Sequence, residues 1–189
     1  PEYKAPKVSV KKVPVVTKNK QFTQVTFPID SDVITPSFAK NSTEIADLKA
    51  TLNSIKSNPN NKITRIVVTG VSSPDGSYQY NKALADKRAA AGRDFLITQM
   101  GIPSSMIQTQ SITEDWNGLK EVSTKAGVNN VAKITTIADS HQSDAQKYRQ
   151  MHALPNYNYL AKNILPQLRK VSFDIYYDTT TTKEVTTIR

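Results

Sequence analysis

Between Gly70 and Ala89 the chain places polar side chains suited to recognition chemistry at short spacing. Ser72, Ser73 and Asp75 sit in a Gly/Ser/Pro-rich loop, and Asn81 and Arg88 in the periodic segment that follows. Asn81 and Arg88 are seven residues apart, about 700° of helical rotation, so they lie within roughly 20° of one another on a helix and can face the same neighbouring loop. The remaining sequence offers no catalytic alternative. G-x-S-x-G, H-E-x-x-H, P-loop and G-x-G-x-x-G patterns do not occur. Ser37-Phe38-Ala39-Lys40 has the bare S-x-x-K spacing of penicillin-binding enzymes, but the K-T-G partner is missing. His141 and His152 are the sole histidines and lack companion zinc ligands. The chain has no cysteine, which excludes disulfides, thiolate metal sites and thiol nucleophiles. No enzyme activity, metal or cofactor is expected.

The elements that must position these groups can be read from periodicity and punctuation. Residues 21–29 alternate as a strand. Asn41 is placed to cap a helix, with Glu44 reaching back, and Ile45, Leu48, Leu52 and Ile55 mark its apolar face. Ile63–Thr69 reads as a buried strand, and the loop Gly70–Ser77 leads into a helix ended by Gly101-Ile102-Pro103. Gly70 and Gly76 read as tight-turn positions. Met106–Ile112 and Val171–Tyr177 read as further strands. Between them, residues 113–168 carry helical spacings around Trp116, Leu119 and Val122, around Val131, Ile134, Ile137 and Ala138, over Asp144–Met151 and over Tyr157–Leu165. The expected fold class is α+β: a two-layer sandwich with β-α-β-α-β-β order, a mixed sheet, and an inserted helical segment before the last strand. Residues 1–20 read as a basic extended linker or edge strand, 21–178 as the folded domain, and 179–189 as a C-terminal tail.

Charge adds one feature. Of the formal +9, residues 1–20 hold six lysines against Glu2 alone, a local charge of +5. This suits attraction to an anionic polymer or surface, or an edge strand whose lysines discourage aggregation. Scattered arginines without a basic recognition helix argue against nucleic acid. No apolar run is long enough to span a membrane. The chain starts at Pro1 without Met or leader, so any signal peptide or lipid anchor, as in a lipoprotein, is expected to lie outside it.

The order Gly70, Gly76, Asn81, Leu84-Ala85, Arg88-Ala89 resembles the peptidoglycan-binding signature of OmpA-like (OmpA C-terminal) domains. Phe27-Pro28-Ile29-Asp30-Ser31 resembles the family's opening turn, and Arg169-Lys170-Val171 its closing basic strand. The Ser-Pro-Asp-Gly loop and Glu114-Asp115-Trp116 resemble the Bacteroidetes branch. The family usually has Asp where this chain has Ser73. The resemblance implies a periplasmic, outer-membrane-associated module, anchoring an envelope protein to the cell wall through the diaminopimelate of the peptidoglycan stem peptide, with other envelope proteins as further partners. A diaminopimelate end carries an ammonium beside a carboxylate, so its site needs an anion and a cation side by side. Arg88 is the expected carboxylate clamp, because its planar fork can make two parallel hydrogen bonds. Arg169 is the supporting cation and Asp75 the expected ammonium partner in place of Ser73; Ser72 and Ser73 would line the loop. Asn81 serves either ligand contact or loop pinning. Trp116 and tyrosines 148, 157, 159, 176 and 177 read as packing residues or as a stacking surface. The alternative is a degenerate domain acting as an interaction or structural module in a surface assembly.

Overall fold

The computed structural model describes residues 1–189. Its elements are β1 (Val8–Thr26), α1 (Asn41–Ser57), β2 (Asn61–Val71), α2 (Tyr78–Met100), β3 (Ile107–Ile112), α3 (Trp116–Ala126), α4 (Val131–Asp139), α5 (Asp144–His152), α6 (Tyr157–Asn163) and β4 (Lys170–Ile188), with 3-10 turns at Ser104–Met106 and Leu165–Leu168. The strands form one mixed sheet in the order β1-β4-β2-β3. β4 is antiparallel to both β1 and β2, and β2 is parallel to β3. β1 and β2 therefore run the same way, with the last strand between them. The architecture is the expected two-layer α+β sandwich with helices inserted before that last strand.

One face of the sheet is apolar by alternation, with an irregularity between Ile63 and Arg65 resetting its phase in β2. Val25 and Phe27, Ile63, Ile66 and Val68, and Val171, Phe173 and Ile175 meet Ile45, Leu48, Leu52 and Ile55 of α1 and Leu96 of α2. Gly70 is not a turn residue, contrary to its reading from sequence. β2 continues through it, pairing Gly70 with Val171 on one side and Ser111 on the other. A methyl group there would overlap the Ala85 carbonyl and the Ala89 amide of α2, so Gly70 marks where helix and strand backbones touch. Gly92 serves the same contact from the helix side, where an added Cβ would lie 2.6 Å from Val171 Cγ2. Gly76 is the turn glycine, with φ +93°.

Asn41 does not cap α1. Lys40 holds the cap position without a side-chain bond. The fully buried Asn41 amide instead donates to the carbonyls of Thr26 (2.8 Å) and Thr35 (2.9 Å) and accepts from the Thr26 N–H (3.0 Å). It ties the end of β1 to the start of α1.

The insertion buries its own core, with Trp116, Leu119, Ile134, Met151, Leu160 and Leu165 at its centre. Its helices begin and end as their sequences dictate. Asp115 caps α3 and Gly127 closes it in the left-handed conformation, while Ser143 and Gln146 form a capping box on α5.

At the other end of the sheet, residues 8–15 and 181–188 pair with each other alone. Residues 179–189, read as a tail, continue β4 to Ile188, and the Pro-punctuated start of the chain is its partner. The result is a two-stranded arm roughly 30 Å long at the usual rise per residue. Lys7 and Arg189 exchange hydrogen bonds at its tip (3.1 and 3.0 Å). The odd residues of β1 therefore bond to β4 and the even ones face outward, so Pro14 removes no ladder bond. Lys18 pairs with Asp178 (2.9 Å) and Lys20 with Asp174 (3.4 Å).

Candidate functional site

The end of the sheet opposite the arm holds a cleft of about 200 Å³, lined in part by Ile29, Asp30, Ser73, Asp75, Tyr80, Arg88, Tyr148 and Arg169. Its floor is the β2–α2 loop. Ser77 starts α2 by accepting the Tyr80 N–H, and Gly76 makes the turn before it. Asn81 pins that loop: its amide donates to the Asp75 carbonyl (2.6 Å) and to Glu114 Oε1 (3.3 Å). Ser72 does not line the cleft. It is buried, and its hydroxyl accepts the Glu114 N–H (3.0 Å) while its carbonyl accepts the Asp115 N–H (3.1 Å). Its role is to fasten the loop to the start of α3. Burial pushes the Glu114 carboxyl above its usual range, against the opposing pull of the Asn81 hydrogen bond.

Arg88 is the largest fully buried side chain, 1% exposed. Nε donates to the Ser31 carbonyl and Nη1 to the Val71 carbonyl, each at 2.9 Å, and the guanidinium lies 5.1 Å from the centre of the Phe27 ring. Nη2 is buried and has no partner. Burial, and then the neighbouring Arg169 charge, push the Arg88 pKa down to about 10. It stays protonated at neutral pH, as a desolvated cation with one donor nitrogen unused. Leaving such a donor unmatched costs on the order of 1–3 kcal/mol or more.

Ser73 Oγ donates to Asp75 Oδ1, and Asp75 Oδ2 lies 3.6 Å from Arg169 Nη2. A carboxylate therefore sits beside the serine that occupies the usual aspartate position. Arg169 lies at the entry to β4 and anchors the end of β1, its carbonyl accepting the Phe27 N–H (2.7 Å). The structure thus brings Ser73, Asp75, Asn81, Arg88 and Arg169 around one cleft, with Ser72 behind it.

Three polar lining residues, Asp30, Tyr80 and Tyr148, were not assigned to this cleft from the sequence. Asp30, in the left-handed conformation (φ 60°), accepts the Tyr80 hydroxyl at 3.0 Å. Its signal was its place in the opening-turn segment. Tyr80 lies one residue before Asn81, and nothing in its spacing marks it. Tyr148 arrives from α5, and no local pattern joins it to a loop more than seventy residues away. The cleft thus presents two guanidinium groups and two carboxylates, which suits a small ligand bearing both charges. His152 lies outside it, stacked on Tyr157 with ring centres 4.1 Å apart.

The sequence model of the OmpA family matches residues 26–132, more than half of the chain. The matched stretch contains β2, α2 and β3 but neither Tyr148 nor Arg169. No curated protein matches the chain. Among solved structures, the chain is similar to the peptidoglycan-associated lipoprotein from Burkholderia pseudomallei, with 19% identity, 82% of this chain and 89% of that chain covered, and a TM-score of 0.42.

Proposed function

The chain belongs to the OmpA family, and from that premise we propose that it is a non-catalytic peptidoglycan-binding module of the cell envelope. It would act on the periplasmic side of the outer membrane, gripping the free end of diaminopimelate in the stem peptide. The observation that carries this reading is the buried, unpartnered Nη2 of Arg88 at a cleft that also holds Asp75 and Arg169. A ligand carboxylate would satisfy that donor, and Arg169 stands near enough to add a second positive charge. The ligand ammonium would meet Asp75, whose carboxylate stands in for the family aspartate, with Asp30 on the cleft wall as a further anion. The groups are anchored before any ligand arrives, Arg88 by two backbone carbonyls and Asp75 through Ser73 and Asn81. Little ordering cost remains to be met on binding.

Co-sedimentation with purified peptidoglycan tests this reading. Wild type should pellet at low salt; a protein that stays in the supernatant overturns the proposal and leaves an interaction module in a surface assembly as the better account. Arg88→Lys retains a charge but loses the fork, and should weaken binding to a diaminopimelate-containing peptide by about 2 kcal/mol or more. Asp75→Ala should weaken it too. Ser73→Asp should help little, because a second carboxylate beside Asp75 repeats a charge already present.

A further inference from the structure

We propose that the helical insertion completes the cleft and makes it selective for a free chain end. Tyr148 would admit a diaminopimelate side chain whose amine is free and exclude one whose amine is acylated, as in a cross-link between stem peptides. This rests on the reading of the cleft as the stem-peptide site.

The size of the cleft is the first observation. At about 200 Å³ it is on the scale of one amino-acid end group. The origin of its walls is the second. Ile29 and Asp30 come from the segment after β1, Ser73, Asp75 and Gly76 from the loop, Tyr80, Asn81, Leu84 and Arg88 from α2, and Arg169 from the start of β4. Of the lining residues, Tyr148 alone comes from the insertion.

Tyr148 is held there by a continuous set of contacts. Asp144 and Tyr148 are four residues apart on α5, hence on one side of it. Asp144 Oδ1 accepts the Trp116 indole N–H at 3.2 Å, and the Lys147 ammonium lies 5.5 Å from the centre of the same indole. Trp116 directly follows Glu114 and Asp115, whose backbone N–H groups bond Ser72 in the cleft's own loop. The Tyr148 ring lies 5.7 Å from His152, which is itself stacked on Tyr157, so the phenol belongs to a run of aromatic contacts. The loop that carries Asp75 and the helix that carries Tyr148 are therefore one frame.

Acylation changes the ligand in two ways. It removes the ammonium charge that Asp75 would pair with, and it adds a carbonyl and a chain that must leave past the wall. The first effect is independent of Tyr148 and the second is not, so the two can be separated. Calorimetric titration would use the full chain and two probes: a diaminopimelate-containing peptide with its side-chain amine free, and the same peptide with that amine acetylated. Wild type should prefer the free amine. Tyr148→Ala should bind the acetylated probe tighter and reduce the preference by about tenfold, the scale on which a pocket wall discriminates by shape. Tyr148→Leu, which keeps apolar packing against the insertion and shortens the wall, should shift the preference in the same direction by a smaller factor. Trp116→Phe, lacking the N–H that holds Asp144, should do likewise. Tyr159→Ala, at a tyrosine that is half exposed and outside the cleft, should change neither affinity. Wild-type binding with an unchanged preference in both Tyr148 variants overturns the inference and spares the peptidoglycan reading. Wild type that binds neither probe overturns both.

Discussion

The floor of the cleft and the projecting arm are built by opposite rules. Around Gly70, Ser72, Asn81 and Arg88, helix and strand backbones touch, and the buried polar groups are bonded across elements that lie far apart in sequence, with one guanidinium nitrogen as the exception. In the arm, two strands meet only each other, and Val8, Val10, Val16 and Ile188 are more than half exposed. A two-stranded ribbon in water is marginal by itself, so the arm is held in register by the sheet it leaves. The lesson is that the same polypeptide can be intolerant of a single methyl group at one end of its sheet and indifferent to it at the other.

Substitution at the two ends is the direct way to break this contrast. Gly70→Ala forces α2 off the sheet and should cost on the order of 3 kcal/mol, whereas Val15→Ala in the arm should stay within about 0.5 kcal/mol; denaturant titration of both variants measures the gap. Similar losses in the two variants would remove the distinction. A subtler effect is expected at Glu114. Because its folded carboxyl is held above its usual range by burial, it favours folding at low pH, and that contribution is lost as the pH rises from about 4.5 through the raised value. Glu114→Gln keeps an acceptor for Asn81 without the charge. It should melt above wild type at pH 7, with the difference closing below about pH 4.5. A variant that melts lower at pH 7 would show that the charge is favourable there. The smallest expected effect on stability is Pro14→Val, since Pro14 withholds no ladder bond. What should change is association: restoring an outward N–H to a long free edge invites strand pairing between molecules. Light scattering at rising protein concentration would detect it, and equal scattering would acquit the proline.

Much of the β2–α2 unit was legible because its signals are local. A strand run, a glycine turn, a serine cap and an αL glycine at the exit all act within a few residues. The helices of the insertion were legible for the same reason, through the helical spacing of Trp116, Leu119 and Val122 in one and of Val131, Ile134, Ile137 and Ala138 in the next. What the sequence hid was pairing at a distance. The first half of the arm read as a linker or an edge strand and the second as a tail, because Lys11-Lys12 and Pro14 interrupt the alternation and the partner lies more than 150 residues away. Asn41 looked like a helix cap because its best bonds, to Thr26 and Thr35, depend on where β1 ends in space. Arg88 was expected at the site, but its burial was not legible, because it follows from Ser31 and Val71 offering carbonyls from two other segments. Tyr148 could not be assigned to the cleft without the packing of α5 on Trp116.

The arm also decides how the domain meets mechanical force. Lys7 and Arg189 lie side by side at its tip, at the end of the sheet away from the cleft. Tension applied across those two residues would part the ribbon like a zipper, one cross-strand pair at a time and at low force. Tension between a ligand held in the cleft and either strand end runs along the strands, so that many hydrogen bonds resist together in shear. The geometry is weak to prying at its tip and strong to a pull along its length.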